Sequence, residues 1–193
     1  MKKISLLSLL FFVFNMATAQ QEISTAYATQ ATNMFAPLDK NRIPHKVLLD
    51  YGFEYTNLKA YNGTLSDSTV VDVPTLKHIY NTIFSSRVTS ATTGFINPNN
   101  FDSNWKNRTA GTITVSGLYY KYNAFINDAI NLGKVNFVNN QFQDKFVSGV
   151  WQNPYQEFQA FAMAPAISKY EGLSFTVKIP STIFYSNYQS LVQ

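Results

Sequence analysis

The chain has 193 residues, 13% of them charged and 16% aromatic, with a formal net charge of +4 and no cysteine. The missing thiol excludes disulfide staples, cysteine-based zinc sites, thiol nucleophiles and lipidation of a cysteine behind a leader. With no run of Lys and Arg there is no basic footprint for nucleic acid, and the apolar content is too high for a disordered chain.

Lys2 and Lys3, the apolar run from Ile4 to Phe14 and the small-x-small triplet Ala17-Thr18-Ala19 have the form of a secretory signal peptide. The expected division is a signal peptide over residues 1–19, a single domain over 20–187 and a tail over 188–193. Two lysines leave with the leader, so the remaining chain is close to neutral. No later stretch reaches about 18 apolar residues, so no transmembrane helix is expected. The expected setting is export to the cell surface, the exterior or the periplasm.

Residues 23–34 predict a short, weakly amphipathic helix. The next stretch, FAPLDKNRIPHKVLLDYGFEYTNL, is the densest in chemistry, with Asp39, His45, Asp50 and Glu54 in one window. From Val47 the apolar residues Val47, Leu49, Tyr51, Phe53 and Tyr55 alternate with Leu48, Asp50, Gly52, Glu54 and Thr56. That period of two predicts a strand buried on one face, with Phe53 in the core and Asp50 and Glu54 on the other face. In a strand those two Cα atoms are about 13 Å apart. Paired glycosidase carboxylates sit at about 5–9.5 Å, so the spacing does not favour that chemistry. His45 lacks a second ligand at metal-binding spacing, and no G-x-S-x-G elbow accompanies it. No catalytic residue, metal or cofactor is assigned. Asp39, His45, Asp50 and Glu54, with Trp105, are kept as candidate binding residues.

Asn62-Gly63 marks a turn. Residues 74–88 predict the clearest helix, with Leu76, Ile79, Tyr80, Ile83, Phe84 and Val88 at helical spacing and Asp72 and Pro74 at its start. Five of the eleven residues from Asn97 to Asn107 are Asn, which predicts a surface loop carrying Trp105. Trp105 is read as covering the core in preference to stacking on a sugar. Strands are expected over residues 112–115, 118–126, 134–138 and 174–179. Residues 154–165 (PYQEFQAFAMAP) fit either state, with a short helix preferred. The fold class is α+β: a partly helical N-terminal half with one clear strand, then mainly antiparallel β structure. The core is expected to end near Asn187. Residues 188–193 are expected to be mobile; the two competing explanations of their apolar character are a tail packed back on the domain as a final strand or short helix, and the start of a further domain.

The order F-A-P-L-D-K-N-R-I-P-H, L-L-D-Y-G-F-E-Y-T-N-L and Y-N-G-T, with Gly117-Leu118-Tyr119-Tyr120, Asn153-Pro154-Tyr155 and Phe184-Tyr185-Ser186-Asn187 further on, resembles the N-terminal region of long secreted proteins of Bacteroidetes-type bacteria. The resemblance covers most of the chain beyond the leader. It implies export and a surface or extracellular setting, and it carries no catalytic residues. Since every catalytic motif considered is missing, the favoured function is an exported, non-catalytic binding or structural module of a surface or secreted protein. Its partner is unknown, with a surface glycan or a protein as the classes considered. One alternative is a secreted hydrolase acting on glycan or peptide; a second is an outer-membrane envelope component.

Overall fold

A computed structural model describes residues 26–101, 103, 109–167 and 169–188. The expected signal peptide over residues 1–19, Trp105 and the last five residues lie outside the described residues.

The clearest helix of the sequence is α2 (Val73–Ser85). The Asp72 carboxylate accepts the Thr75 amide hydrogen at 2.8 Å, and Pro74 sits in the first turn, where its missing N–H costs nothing. The helix stops three residues short of its apolar stripe. The Ser85 and Ser86 hydroxyls both donate to the Thr82 carbonyl, at 2.9 and 2.8 Å, and share it with the Ser86 amide at the end of the helix. Leu76, Tyr80 and Ile83 are completely buried on one face of α2, and each buried Leu or Ile side chain contributes about 1.5–3 kcal/mol. Val88 lies beyond the helix and joins a different cluster.

That face of α2 rests on a sheet built around one long strand, β1 (Thr112–Phe125). The two strands expected over 112–115 and 118–126 are therefore one. Its antiparallel partner is β6 (Tyr155–Pro165), in register from Val115 opposite Pro165 to Phe125 opposite Tyr155. This corrects the expected helix over residues 154–165. Ala160, Ala162 and Ala164 alternate on the face under α2, opposite Tyr120, Leu118 and Ser116, and their small size lets the helix approach the sheet. Alanine favours helices by local propensity, but eleven residues of β pairing override it here.

Between β1 and β6 the chain makes two small hairpins. β2 (Val135–Val138) pairs with β3 (Gln141–Asp144), and β4 (Phe146–Val147) pairs with β5 (Val150–Trp151). The turn residues Asn139 and Asn140, with φ of 52° and 59°, lie in the left-handed region that the favoured two-residue hairpin turns need.

The second edge of β1 is completed by pieces from three segments of the chain. β7 (Thr176–Lys178) pairs in parallel with Thr112–Thr114, and β8 (Phe184–Ser186) pairs in parallel with Gly117–Tyr119. Beyond β8 the Asn187 side chain stands in for a strand. Its Oδ1 accepts from the Lys121 amide at 2.9 Å, and its Nδ2 donates to the Lys121 carbonyl at 2.8 Å. The Asn123 amide then donates to the Val47 carbonyl at 2.9 Å, and the Phe125 amide to Asp50 Oδ2 at 2.8 Å. Asn187→Ala is expected to cost about 1 kcal/mol, since it leaves two half-buried backbone groups to find water. Thermal melting checks this, and a melting point within 1 °C of the parent would count against the strand-substitute role.

The strand expected from Val47 does not form. Val47 and Leu48 are both fully buried, so the alternation fails at its first step. Leu49–Tyr51 then turn as a short 3-10 helix. The Phe53 and Tyr55 amides donate to the Ser85 and Thr82 hydroxyls, both at 3.0 Å, instead of to a neighbouring strand. Gly52 permits this docking, because a Cβ there would lie 2.1 Å from Ser86 Oγ. Phe53 and Tyr55 end up 43% and 50% exposed, so the face assigned as buried is an outer one. The large loss expected of a buried Phe53 is replaced by a small one. Phe53→Ala is expected to cost less than about 1.5 kcal/mol, the range of its edge contacts with Tyr27 and Tyr55. A loss of several kcal/mol in a denaturant melt would overturn this placement.

The short helix expected near the start is present as α1, residues 26–35. It leads into a second cluster in which Phe35, Leu38, Ile43, Leu48, Val88 and Tyr155 are buried. In the Asn-rich stretch, α3 (Pro98–Phe101) carries Phe101, which is fully buried and stacks on Tyr80 at 4.1 Å. The architecture is α+β, with mainly antiparallel pairing in the second half of the chain.

Candidate functional site

β1 and β6 have two faces. Leu118, Tyr120, Ala160 and Ala162 point to α2. The residues between them, Tyr119 and Lys121 on β1 and Gln159 and Phe161 on β6, point the other way as directly paired neighbours. At one end of this second face, Phe125 and Tyr155 are covered by the Phe35 cluster. From Lys121 to Gly117 it is only partly covered.

Four more side chains are brought onto this face by backbone contacts. The Tyr61 amide donates to the Gln159 carbonyl at 2.7 Å, which pins the Tyr61 ring 5.0 Å from that of Phe161. Phe184 on β8 lies across Gly117, where a Cβ would sit 2.7 Å from the ring. Its centroid is 6.3 Å from Phe161. Tyr188 follows Asn187, whose pair of hydrogen bonds to the Lys121 backbone sets the direction of the chain. The Lys121 ammonium lies 4.6 Å from the Tyr188 ring centroid, and the Tyr119 ring is 6.5 Å from it. His45, in the Pro44–Lys46 turn with φ of 54°, reaches the edge of the face from the N-terminal segment.

A hydrogen-bonded chain of side chains runs among these rings. Glu157 accepts from Lys121 Nζ at 3.0 Å through Oε1 and meets His45 Nε2 at 2.8 Å through Oε2. The His45 contact, followed by that of Lys121, holds the Glu157 carboxyl below its ordinary pKa. Burial raises the pKa of the Tyr119 hydroxyl, with Lys121 opposing and Glu157, Tyr188 and Tyr61 adding to the rise. Since Glu157 is stabilised as the anion in the folded state, its contribution to stability is present above the ordinary value of 4.5 and is lost as pH falls through the lower folded value. Glu157→Gln is expected to flatten that acid limb of the melting curve. An unchanged limb would show that the pair carries no linkage.

The candidates named from sequence divide among different places. His45 belongs to this face. Asp39 caps the Lys40–Arg42 turn, bonds Arg42 at 3.3 Å, and offers its own amide to Asp144 at 2.9 Å. Asp50 ends the second edge of β1 by accepting from Phe125. It keeps surface exposure, yet the protein packed round its carboxyl raises its pKa against the pull of that amide. Glu54 is exposed beyond the turn; burial raises the pKa values of the Tyr27 and Tyr122 hydroxyls, and the Glu54 charge adds to the rise. Trp105 lies outside the described residues. Among the described residues no group of three or more His, Cys, Asp and Glu could hold a metal, and no helix is long and apolar enough to cross a membrane.

Sequence reasoning missed Tyr61, Tyr119, Lys121, Glu157, Gln159, Phe161, Phe184 and Tyr188. The signal was present in QAFAMA, residues 159–164, where large residues alternate with alanine; assigning a helix there hid the shared face.

No family model, curated protein or solved structure matches the chain.

Proposed function

We propose that this chain is an exported, non-catalytic binding module whose ligand rests on the face carrying Tyr119, Lys121, Gln159 and Phe161. The observation that carries the reading is the placement of fixed, half-buried aromatic rings beside a hydrogen-bonded Lys121–Glu157–His45 chain on a sheet face opposite the core helix. Rings held by neighbours lose little freedom when a ligand covers them, which favours binding. Asp39 and Asp50 support the same reading, since their carboxylates are used to close a turn and a strand edge. The leader-like first 19 residues and the resemblance to secreted proteins support export.

The hydrolase alternative rests on one arrangement, the His45–Glu157 contact at 2.8 Å. Both readings are tested by offering the purified chain a panel of glycans and peptides, following tyrosine fluorescence for binding and free ends for cleavage. The binding module predicts saturable fluorescence changes without product. Product formed by the parent and abolished in Glu157→Gln would overturn it. Export predicts that protein recovered outside the cytoplasm begins at Gln20 or within a residue or two of it; a cytoplasmic protein retaining Met1 would refute this.

A further inference from the structure

Resting on that reading, we infer that the ligand of this face is a neutral oligosaccharide, with Tyr61, Tyr119 and Phe161 taking the flat C–H faces of sugar rings and Lys121, Glu157 and Gln159 their hydroxyl rims. A pyranose is apolar on its faces and hydroxylated round its edge. The sheet offers the complement at period two. Tyr119 and Phe161 form one cross-strand pair, and Lys121 and Gln159 the next. The rings of Tyr61 and Phe161 are 34° apart in plane, giving a shallow, slightly folded aromatic surface.

The charges decide between ligand classes. Lys121 and Glu157 are paired at 3.0 Å and His45 closes on the second carboxylate oxygen, so the face has one cation balanced by one anion. Such a face has no net field to gather a polyanion, which argues against nucleic acid and acidic polysaccharide. An apolar protein surface laid over it would strip water from both ions, and desolvation costs several kcal/mol per ion unless it is fully compensated. Sugar hydroxyls can replace those waters one for one, each both donating and accepting, so the ion pair stays solvated while the rings are covered. Glu157 is 41% exposed and Lys121 19% exposed at the side chain, so their polar heads are reachable from solvent.

The probe is affinity electrophoresis of the full chain in gels containing neutral polysaccharides (β-glucan, xylan, mannan, starch) or acidic ones (alginate, pectin). At least one neutral polysaccharide is expected to retard the parent. Tyr119→Ala and Phe161→Ala are expected to weaken the interaction about tenfold, equivalent to ~1.4 kcal/mol. Both positions are within the sheet, so Tyr61→Ala, in the covering loop, serves as the variant least able to disturb folding. Phe53→Ala removes an exposed ring elsewhere on the molecule and is expected to leave retardation unchanged. Retardation by no neutral polysaccharide, or retardation unaffected by all three face variants, overturns the inference. Binding confined to acidic polysaccharides, or to a protein cross-linked through this face, and lost in Tyr61→Ala, overturns the ligand class while leaving the binding-module reading in place.

Discussion

Replacing Tyr80 with alanine is expected to destabilise the protein by about 3–5 kcal/mol, the usual cost of removing a large buried aromatic. Tyr80 is fully buried in the centre of α2 and touches aromatic residues from every layer: Phe101 at 4.1 Å, with Phe84, Tyr185, Phe95 and Tyr120 within 6.2 Å. Its hydroxyl donates to the Ile96 carbonyl and accepts the Ile96 amide hydrogen, both at 2.7 Å. One side chain thus completes both backbone groups of a residue in the loop that follows the helix. Burial pushes its pKa up to about 12, so the hydroxyl stays neutral at all ordinary pH. Tyr80→Phe separates the two contributions, because the ring remains and both Ile96 groups lose their partner. Its expected cost is about 1–3 kcal/mol, that of leaving buried polar groups unsatisfied. Guanidinium melts of the two variants give the comparison. Equal losses in both would mean that the hydroxyl, and not the packing, carries the effect; a neutral Tyr80→Phe would mean that Ile96 finds other partners.

The second large effect is expected at Ala162. Ala162 is completely buried on β6, paired with Leu118 and covered by the cluster that includes Leu76, Tyr80 and Ile83. Ala162→Leu adds three carbons where α2 meets the sheet, and overpacking of that kind costs about 1–3 kcal/mol. For a domain of this length that is about 2–4 °C in melting temperature per kcal/mol. Gln159→Leu, on the opposite face of the same strand, is the control. It should leave the melting temperature nearly unchanged. If Ala162→Leu were neutral and Gln159→Leu damaging, the two faces of β6 would be exchanged and the face proposed for binding would be the core.

The His45–Glu157 pair illustrates why a site can be invisible in one dimension. The partners are 112 residues apart, and Lys121 comes from a third segment. Nothing local marks Glu157 as the acceptor, because its pairing follows from the register that puts it opposite Asn123 and next to the turn at His45. The apparent cluster of Asp39, His45, Asp50 and Glu54 is the converse. Proximity in sequence suggested one site, but a 3-10 turn and two residues with positive φ send these side chains to different partners.

By itself the sequence determined the elements whose patterns are locally consistent. α2 is one, because cap, proline and apolar stripe agree. The turn at Asn62-Gly63 is another, with Gly63 at φ of 92°. The α+β class, and strands in the second half of the chain, follow from the same local agreement of turn residues with alternating β-branched and aromatic ones. Tertiary structure decided the cases where local signals were weak or misleading. Residues 47–56 alternate like a strand, yet the hydroxyls on α2 take their amides and the pattern ends exposed. Residues 155–165 favour a helix through their alanines, yet pairing with β1 makes them a strand and gives those alanines their use. β7 alternates as expected, but Phe175 and Val177 remain more than half exposed, because pairing with β1 secures its backbone without burying its side chains. The physical reason is common to all three. Local pattern reports what a segment could bury, and only the segments that arrive from elsewhere decide which face is covered and where each backbone hydrogen bond goes.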